Sequence, residues 1–302
     1  MSTRVHARAL VNFDMIRRCG SIREAARRLH LSASALNRQL LELEDLLGAP
    51  LFERLSQGLK LTPSGEVFAR HVIHVLQDAQ RMSLELDALQ GLKAGEVSLM
   101  TVEALTRHFV PELIDRMAAH HPLVMLRVRI AGSRRAAEEV ADGGADVAIS
   151  FMNQRTLGLK QVAAASFPVG ALVLPDHPLA TRGRVTFAQC AQHPLVLPTP
   201  EIALYEALAP LLYAYSGDLR AALHSSSFGL MKQAVLQGRG VAFVNQFGVE
   251  DELTKGTLVH LPLRGATPSI LGVYVRSGRT LPPAVERFCQ LAAGRLQGLS
   301  PA

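Results

Sequence analysis

Apolar residues recur at helical spacing through the first fifty residues of the chain. Leu10, Phe13 and Ile16 set the period of a first predicted helix over residues 7–19, and a second predicted helix covers residues 22–29. A third predicted helix, residues 33–47, has one apolar stripe with spacings of four, three and four, at Leu36, Leu40, Leu43 and Leu47. These stripes predict amphipathic helices that pack around a shared core.

Serine residues precede the second and third predicted helices, where a side-chain oxygen can cap free backbone amides. Ser21 and Glu24 form a predicted capping box, in which the Ser hydroxyl accepts the Glu amide and the Glu side chain reaches back. Ser32 is the predicted N-cap of the third helix. Only a short turn at residues 30–31 and the cap Ser32 separate the two helices, which predicts a helix–turn–helix.

A long, narrow apolar seam follows. Thr62 is a suitable N-cap with Pro63 in the first helical turn, and the next 27 residues, 64–90, predict a helix of roughly 40 Å. Its apolar positions alternate in steps of four and three, at Phe68, Val72, Val75, Ala79, Met82, Leu86 and Leu89. A helix this long with so narrow a seam needs a partner helix, either in its own chain or, as we expect, in a second copy.

From residue 95 onward, strands alternate with helices. Strands are predicted over residues 97–102, 123–130 and 146–150, with helices at 104–120 and 134–141 between them, which is a βαβαβ unit with a largely parallel sheet. A second unit has strands at 170–174 and 241–244 and helices at 201–214 and 228–237, and a strand at 270–275 with a helix at 283–296 returns to the first. Two such units facing each other predict a ligand cleft at the strand ends.

Composition narrows the class of protein. A chain of 302 residues with 48% hydrophobic and 19% charged residues predicts two or three folded domains. Three widely spaced cysteines (Cys19, Cys190 and Cys289) argue against a disulfide framework or a zinc ribbon and favour a reducing compartment. The sequence has no apolar run long enough to span a membrane and no secretory signal, so we expect a cytoplasmic protein without membrane contact.

Positive charge is concentrated at the N-terminus. The formal net charge is +6, and residues 1–62 contain ten Lys and Arg against six Asp and Glu. A compact basic module suits a polyanionic partner such as double-stranded DNA, although a solvated basic surface is the alternative. The third helix carries Ala33, Ser34, Asn37 and Arg38 away from its apolar stripe, which is typical of a recognition helix in the major groove.

Residues 8–65 resemble the DNA-binding domain of LysR-type transcriptional regulators. The matching segments are Gly20-Ser21, residues 25–29, 30–32, 43–44 and 46–54, and the Leu61-Thr62-Pro63-Ser64-Gly65 motif. The resemblance implies a wing over residues 51–61, a phosphate contact by Arg54 and antiparallel pairing of the long helix. The two recognition helices of a dimer then predict a near-palindromic operator. The DNA-binding candidates are Arg28, Ser32, Ala33, Ser34, Asn37, Arg38, Arg54 and Lys60.

Two positions differ from the family pattern. Ala33 stands where the family usually has Gln, and Asn37 stands where it usually has Ser. Because an Asn amide can bind adenine through two hydrogen bonds, we hypothesise that Asn37 takes over base readout that Ala33 cannot perform. The alternative is that Asn37 is an exposed polar residue without a base contact. Arg38 is expected to bind phosphate.

The C-terminal region resembles the effector domain of the same family more loosely. The matches include Val110-Pro111, residues 143–149, 177–180 and 237–242, and they imply a fold similar to periplasmic solute-binding proteins with a small-molecule effector between two subdomains. The effector-binding candidates are Thr101, Val102, Ser133, Phe151, Thr199, Phe228 and Asn245. Each could instead be a helix cap or a core residue. Cys190 is interpreted as a buried structural thiol rather than a peroxide sensor.

The predicted fold class is a multidomain α+β protein. It has a winged helix-turn-helix at 1–63, a linker helix at 64–92 and an α/β effector domain at 93–302, divided into subdomain I (about 93–165 and 267–302) and subdomain II (about 166–266). We found no motif for an enzyme, a metal site or a cofactor, and a solute-binding transport protein leaves the N-terminal module unexplained. The predicted protein is therefore an effector-responsive transcription factor that forms a dimer or tetramer, with RNA polymerase as a further candidate partner.

Overall fold

The computed structural model describes residues 8–55, 58–89, 95–152, 156–278 and 280–299, except for the side chains of 77, 80, 81 and 83–89. The chain divides into two compact units between residues 94 and 95. The N-terminal unit contains helices α1 (Arg8–Cys19), α2 (Ile22–Leu29) and α3 (Ala33–Leu47), strands β1 (Phe52–Leu55) and β2 (Gly58–Leu61), and helix α4 (Pro63–Leu89). This is the predicted winged helix-turn-helix with its long helix.

The core of the N-terminal unit comes from the predicted stripes. Phe13 and Ile16 of α1 and Leu36 of α3 are at most 1% exposed, and Ala25 and Ala26 of α2 are buried against them. The small side chains of α2 let the helices approach closely. Leu47, which the sequence placed on the apolar stripe of α3, is 44% exposed, so the buried stripe ends at Leu43.

The turn between α2 and α3 depends on one residue with a positive φ. The Ser21 hydroxyl accepts the Glu24 amide as predicted, but the Glu24 carboxylate binds Arg27 and Arg28 rather than completing the predicted capping box. A cation three or four residues away on the same helix competes well for that carboxylate. His30 ends α2 with φ 54°, and Ser32 caps α3 by accepting the Ala35 amide.

The wing is fastened to the helices at its base. The Glu44 carboxylate of α3 accepts the amides of Leu51 and Phe52, and the Thr62 hydroxyl donates to the carbonyl of Pro50 and accepts the Gly65 amide. The first turn of α4 packs directly on the backbone of Leu51 at Gly65. A Cβ at this position would lie 2.0 Å from the Leu51 carbonyl oxygen. Close contact with backbone explains why this turn of the helix needs a glycine.

The first apolar residues of the α4 seam pack against the helix-turn-helix of the same chain. Phe68 stacks edge-on against Phe13 at 4.9 Å between ring centroids, and Val72 is fully buried in the helix-turn-helix core. These two positions are therefore not open to a second copy, in contrast to the prediction that the whole seam seeks a partner. Further along α4, Met82 remains 38% exposed. The predicted seam positions Leu86 and Leu89 have side chains outside the described part.

The C-terminal unit contains two five-stranded sheets. The first lobe has the strand order β4-β3-β5-β12-β6, with β3 (Gly95–Thr101), β4 (Val124–Ile130), β5 (Val147–Phe151), β6 (Leu159–Phe167) and β12 (Ser269–Arg276). Strands β3, β4 and β5 are parallel, whereas β12 runs antiparallel to both of its neighbours. Helices α5 (Phe109–His120), α6 (Ser133–Ala141) and α11 (Pro283–Gln297) pack on this sheet. The predicted return of the C-terminal strand and helix to the first unit is confirmed.

The second lobe has the strand order β11-β7-β10-β8-β9. Its strands are β7 (Gly170–Val173), β8 (Leu195–Pro198), β9 (Ala221–Ser225), β10 (Val241–Val244) and β11 (Val259–Pro262). Its helices are α7 (Phe187–Cys190), α8 (Ala203–Ala214), α9 (Phe228–Leu236) and α10 (Glu250–Thr254). Strands β6, β8, β9 and β11 were not predicted, and the predicted helix over 104–120 is a 3-10 turn at Glu103–Leu105 followed by α5.

Candidate DNA-binding and effector sites

The DNA-binding candidates lie on α2, α3 and the wing. Seven of the eight side chains are exposed, at Arg28, Ser32, Ala33, Ser34, Arg38, Arg54 and Lys60, and Asn37 is half-buried. The capping serine fixes the N-terminal end of α3, and the Glu44 contacts fix the start of the wing relative to the other end of that helix. The fold therefore holds the candidate side chains on three connected elements.

Two of the candidate cations, Arg28 and Arg38, have acidic partners on their own helix. Arg27 and Arg28 both bind Glu24, and these two guanidinium groups lower the pKa of the Glu24 carboxyl to about 2. Arg38 lies 3.6 Å from Glu42, and both side chains are largely exposed. Exposed ion pairs of this kind are weak and exchange readily for phosphate contacts.

Arg54 has a different type of partner. Its Nη2 atom donates to Oδ1 of Asn37 at 2.9 Å and so joins β1 of the wing to α3. The sequence pattern contained no signal for this contact, because 17 residues separate the two positions. The two residues for which we predicted separate roles, phosphate contact and base readout, are thus hydrogen-bonded to each other.

A cavity of about 340 Å³ opens between the two lobes of the C-terminal unit. Both lobes contribute to its walls, which are mainly apolar. The lining residues are Val102, Glu103, Ala104, Ile130, Ala131, Gly132, Ser133, Phe151, Glu201, Ile202, Ala203, Leu204, Ser226, Phe228, Asn245 and Ser269. The cavity lies at the ends of β3, β4 and β5, where parallel strands usually present a ligand site.

Five of the seven effector candidates line this cavity: Val102, Ser133, Phe151, Phe228 and Asn245. Thr101 does not, because its side chain is fully buried and its hydroxyl donates to the carbonyl of Ile149. Thr199 also lies outside the lining, and its hydroxyl oxygen is buried with no hydrogen-bond partner among the described residues. Glu201 lines the cavity and was not predicted.

A carboxylate bridges the two lobes beside the cavity. Glu103, two residues after the end of β3, accepts the amides of Phe228 and Gly229 at 2.8 and 3.1 Å and the hydroxyl of Ser227 at 3.3 Å. These groups form the N-terminus of α9, where a negative charge is favoured by the unpaired amides and the helix dipole. We call this set of contacts the Glu103 bridge. Nothing in the sequence pattern indicated it, since the partners are more than 120 positions apart.

Two further contacts hold the lobes together. Asp251 of α10 pairs with Arg107 and lies 3.0 Å from Nε2 of His108, and the Arg107 guanidinium lowers the pKa of the Asp251 carboxyl. Gly132 lies so close to the Glu201 carbonyl that a Cβ would be 2.6 Å from its oxygen. The two lobes are therefore in contact at these points as well as at the Glu103 bridge.

The cysteines of the C-terminal unit are buried, as the sequence analysis predicted for Cys190. Cys190 is fully buried and Cys289 is 2% exposed, and burial raises the pKa of each thiol to about 12. A thiol in such surroundings is not ionised near neutral pH and reacts slowly with peroxide. The structure thus supports a packing role for both residues.

Comparisons with known proteins match both units of the chain to known domain families. The family model described as bacterial regulatory helix-turn-helix protein, lysR family, matches residues 7–66, and that of the LysR substrate binding domain matches residues 90–297. A winged helix-turn-helix joined to a two-lobed binding domain defines a ligand-responsive DNA-binding protein. The chain belongs to the LysR family of bacterial transcriptional regulators, as the resemblance predicted. It is a DNA-binding regulator with an effector-binding domain and not an enzyme.

Individual relatives span nearly the whole chain. The RuBisCO operon transcriptional regulator of Allochromatium vinosum is 26% identical over 285 residues, which are 94% of each chain. A full-length OxyR variant from Pseudomonas aeruginosa is similar in structure, with a TM-score of 0.70, 19% identity, and coverage of 96% of this chain and 93% of that chain. CbnR in complex with its target DNA has a TM-score of 0.54 at 21% identity, with coverage of 96% and 99%.

These structural similarities confirm the predicted fold. Among the residues that the structure describes, every helix is too short or too polar to cross a lipid bilayer.

Proposed function

We propose that the protein binds near-palindromic promoter sites as a homo-oligomer and that a small molecule in the inter-lobe cavity controls this binding. The observation that carries the proposal is the exposed face of α3 and the wing. Its N-terminal part presents the small residues Ser32, Ala33 and Ser34, which let the helix approach base edges, and exposed Arg38, Arg54 and Lys60 surround them as phosphate ligands. We assign DNA contact to these six residues, to Asn37 and to Arg28.

Dimerisation through α4 is the second part of the proposal. Residues Val75, Ala79 and Met82 continue the seam beyond the segment that packs on the helix-turn-helix core, and Met82 is 38% exposed. A helix with an exposed apolar seam is stabilised by a second helix of the same kind. Two copies of α3 then face two half-sites, which makes the operator near-palindromic.

A single substitution tests the dimer. Ala79→Glu places a charge in the proposed seam, so we expect sedimentation as a monomer of about 32.7 kDa, whereas wild type sediments as a dimer or tetramer. His74→Glu, an exposed position of α4 outside the seam, is the matched control and should sediment like wild type. An Ala79→Glu protein with the wild-type mass would contradict dimerisation through α4. A wild-type mass of four chains would support the tetramer.

The cavity limits the chemistry of the effector. Its volume of about 340 Å³ and mainly apolar walls suit a small organic molecule. Polar groups enter from Ser133, Ser226, Asn245 and Glu201, and Gly132 leaves the N-terminus of α6 without a side-chain cap. We infer an effector with a compact apolar body and a hydrogen-bond acceptor directed at the first turn of α6.

Footprinting of the full-length protein on its own upstream region tests the whole proposal. We expect protection of two half-sites, with a change in protected length or DNA bending when the effector is added. Val102→Trp fills the cavity and should abolish the response to effector while retaining the footprint, whereas Val162→Trp on the exposed face of β6 should retain both. Equal affinity for promoter and scrambled duplex would refute the proposal.

A further inference from the structure

The hydrogen bond between Arg54 and Asn37 restricts what the recognition helix can offer to a base. A guanidinium group carries only donors, so Asn37 must present its amide oxygen to Arg54. Nδ2 of Asn37 has two hydrogens and no partner among the described residues, whereas Oδ1 keeps one lone pair but lies beside the guanidinium charge. One turn earlier on the same helix, Ala33 adds no hydrogen-bonding side chain.

The two purines differ at the edge that such a group meets. Adenine presents the N7 acceptor beside the N6 amino donor, and an Asn amide binds it with Oδ1 and Nδ2 together. Guanine presents two acceptors, N7 and O6. With Oδ1 held by Arg54, an adenine N6 amino group would have to share that oxygen with a positively charged guanidinium. Guanine requires donors only, which Nδ2 supplies.

Arg54 has donors to spare for a different partner. One N–H of its guanidinium is committed to Asn37, and the others remain for a phosphate oxygen, the partner that we assign to it. The side chain is exposed and belongs to the wing, so it can stay on the sugar–phosphate backbone while Asn37 faces a base. The wing then acts on base selection without contacting a base.

We infer that Arg54 is a positioning residue that sets the base preference of Asn37 and makes it select guanine over adenine in each half-site. The inference rests on the proposed contact of α3 with the major groove and replaces the hypothesis that Asn37 binds adenine. Removing Arg54 takes away the competing donor and its positive charge, so Oδ1 then accepts the adenine N6 amino group without competition while Nδ2 donates to N7. The presence or absence of Arg54 in the wing therefore decides which purine Asn37 prefers.

Selection of bound duplexes from a random library by the full-length protein tests whether Arg54 sets this base preference. Wild type should enrich guanine over adenine at one position of each half-site by about fivefold or more. Asn37→Ala should remove the preference at that position and no other. Arg54→Ala should bind all duplexes more weakly, lower the salt slope by about one, and reverse the preference at that position to adenine.

Two further variants provide the controls. Arg54→Lys keeps a cationic donor for Oδ1, so guanine should remain preferred. Arg23→Ala removes one exposed arginine of the same unit that is not a candidate contact, and it should leave the guanine-to-adenine ratio within about twofold of wild type. Thermal unfolding of each variant confirms that the N-terminal unit is folded.

The outcomes separate the alternatives. If Arg54→Ala loses the preference without a reversal and Asn37→Ala keeps it, Arg54 contacts the base directly and the inference is wrong. If wild type prefers adenine at the position that depends on Asn37, or if Arg54→Lys reverses as Arg54→Ala does, the inference is also wrong. A wild-type protein that enriches no sequence would instead refute the proposed function.

Discussion

Replacing Glu103 with alanine removes the carboxylate that links the two lobes beside the cavity. The Glu103 bridge consists of two backbone amides and one hydroxyl that all donate to this carboxylate. A hydrogen bond to a charged group contributes about 1.5–3 kcal/mol, but Glu103 is exposed and water replaces part of each contact. We therefore expect the opening of this contact to become easier by roughly 2 kcal/mol in total.

Hydrogen exchange measured by mass spectrometry detects this change directly. A difference of about 2 kcal/mol corresponds to roughly 30-fold faster exchange of the amides at the start of α9. We expect the acceleration at Phe228 and Gly229 in Glu103→Ala and a smaller one in Glu103→Gln, which keeps an acceptor but loses the charge. Glu138→Gln, on an exposed ion pair of α6, is the matched control and should leave these amides unchanged.

The same variant should also bind the effector more weakly. The effector contacts both lobes in their closed arrangement. The apparent Kd for the effector therefore rises by the factor by which the population of the closed arrangement falls. Unchanged exchange at Phe228 and Gly229 in Glu103→Ala would refute the reasoning, because the bridge would then contribute no measurable free energy.

Three other predictions follow from the packing. Gly65→Ala should lower the free energy of unfolding of the N-terminal unit by about 1–3 kcal/mol in thermal or urea unfolding, because its Cβ would overlap the Leu51 carbonyl; Gly294→Ala on α11, with open space around it, should cost nothing. Burial lowers the pKa of His260 from its ordinary value of 6.5, so the folded protein resists protonation there and stability should fall as the pH drops below about 6.5. Compared with wild type, His260→Gln should lose less stability between pH 7.5 and 5, and an equal loss in the two proteins would contradict this role. A thiol reagent at pH 8 should modify half-buried Cys19 rapidly and Cys190 and Cys289 only on unfolding, and rapid labelling of all three would disprove their burial.

Periodicity predicted the elements whose buried face is continuous along the chain. The stripes of α1 and α3 and the buried strands β5 and β10 lie within a few residues of their predicted limits. Strand β9, by contrast, is largely exposed, and β6 alternates irregularly, so neither shows a clear period of two. Their positions are fixed by pairing with β8 and β12, which no local pattern reports.

The same distinction applies to the sites. Of the candidates carried over from the family, Ser133 after β4 and Phe151 at the end of β5 line the cavity. Thr101 differs because the last residue of β3 turns its hydroxyl to the neighbouring strand rather than to the cavity. Contacts between distant segments, such as Arg54 with Asn37 and Glu103 with α9, depend on tertiary geometry, and only the folded chain shows them.

The position of β12 has a consequence for how the protein is made. This strand lies between β5 and β6 in the middle of the first sheet, although it is the last strand to leave the ribosome. The helix-turn-helix unit, built from the first third of the chain, can fold long before that sheet is complete. A premature stop ahead of residue 269 would therefore release a folded DNA-binding head attached to a regulatory domain that cannot assemble, and such a truncated product would compete for operators without responding to any signal.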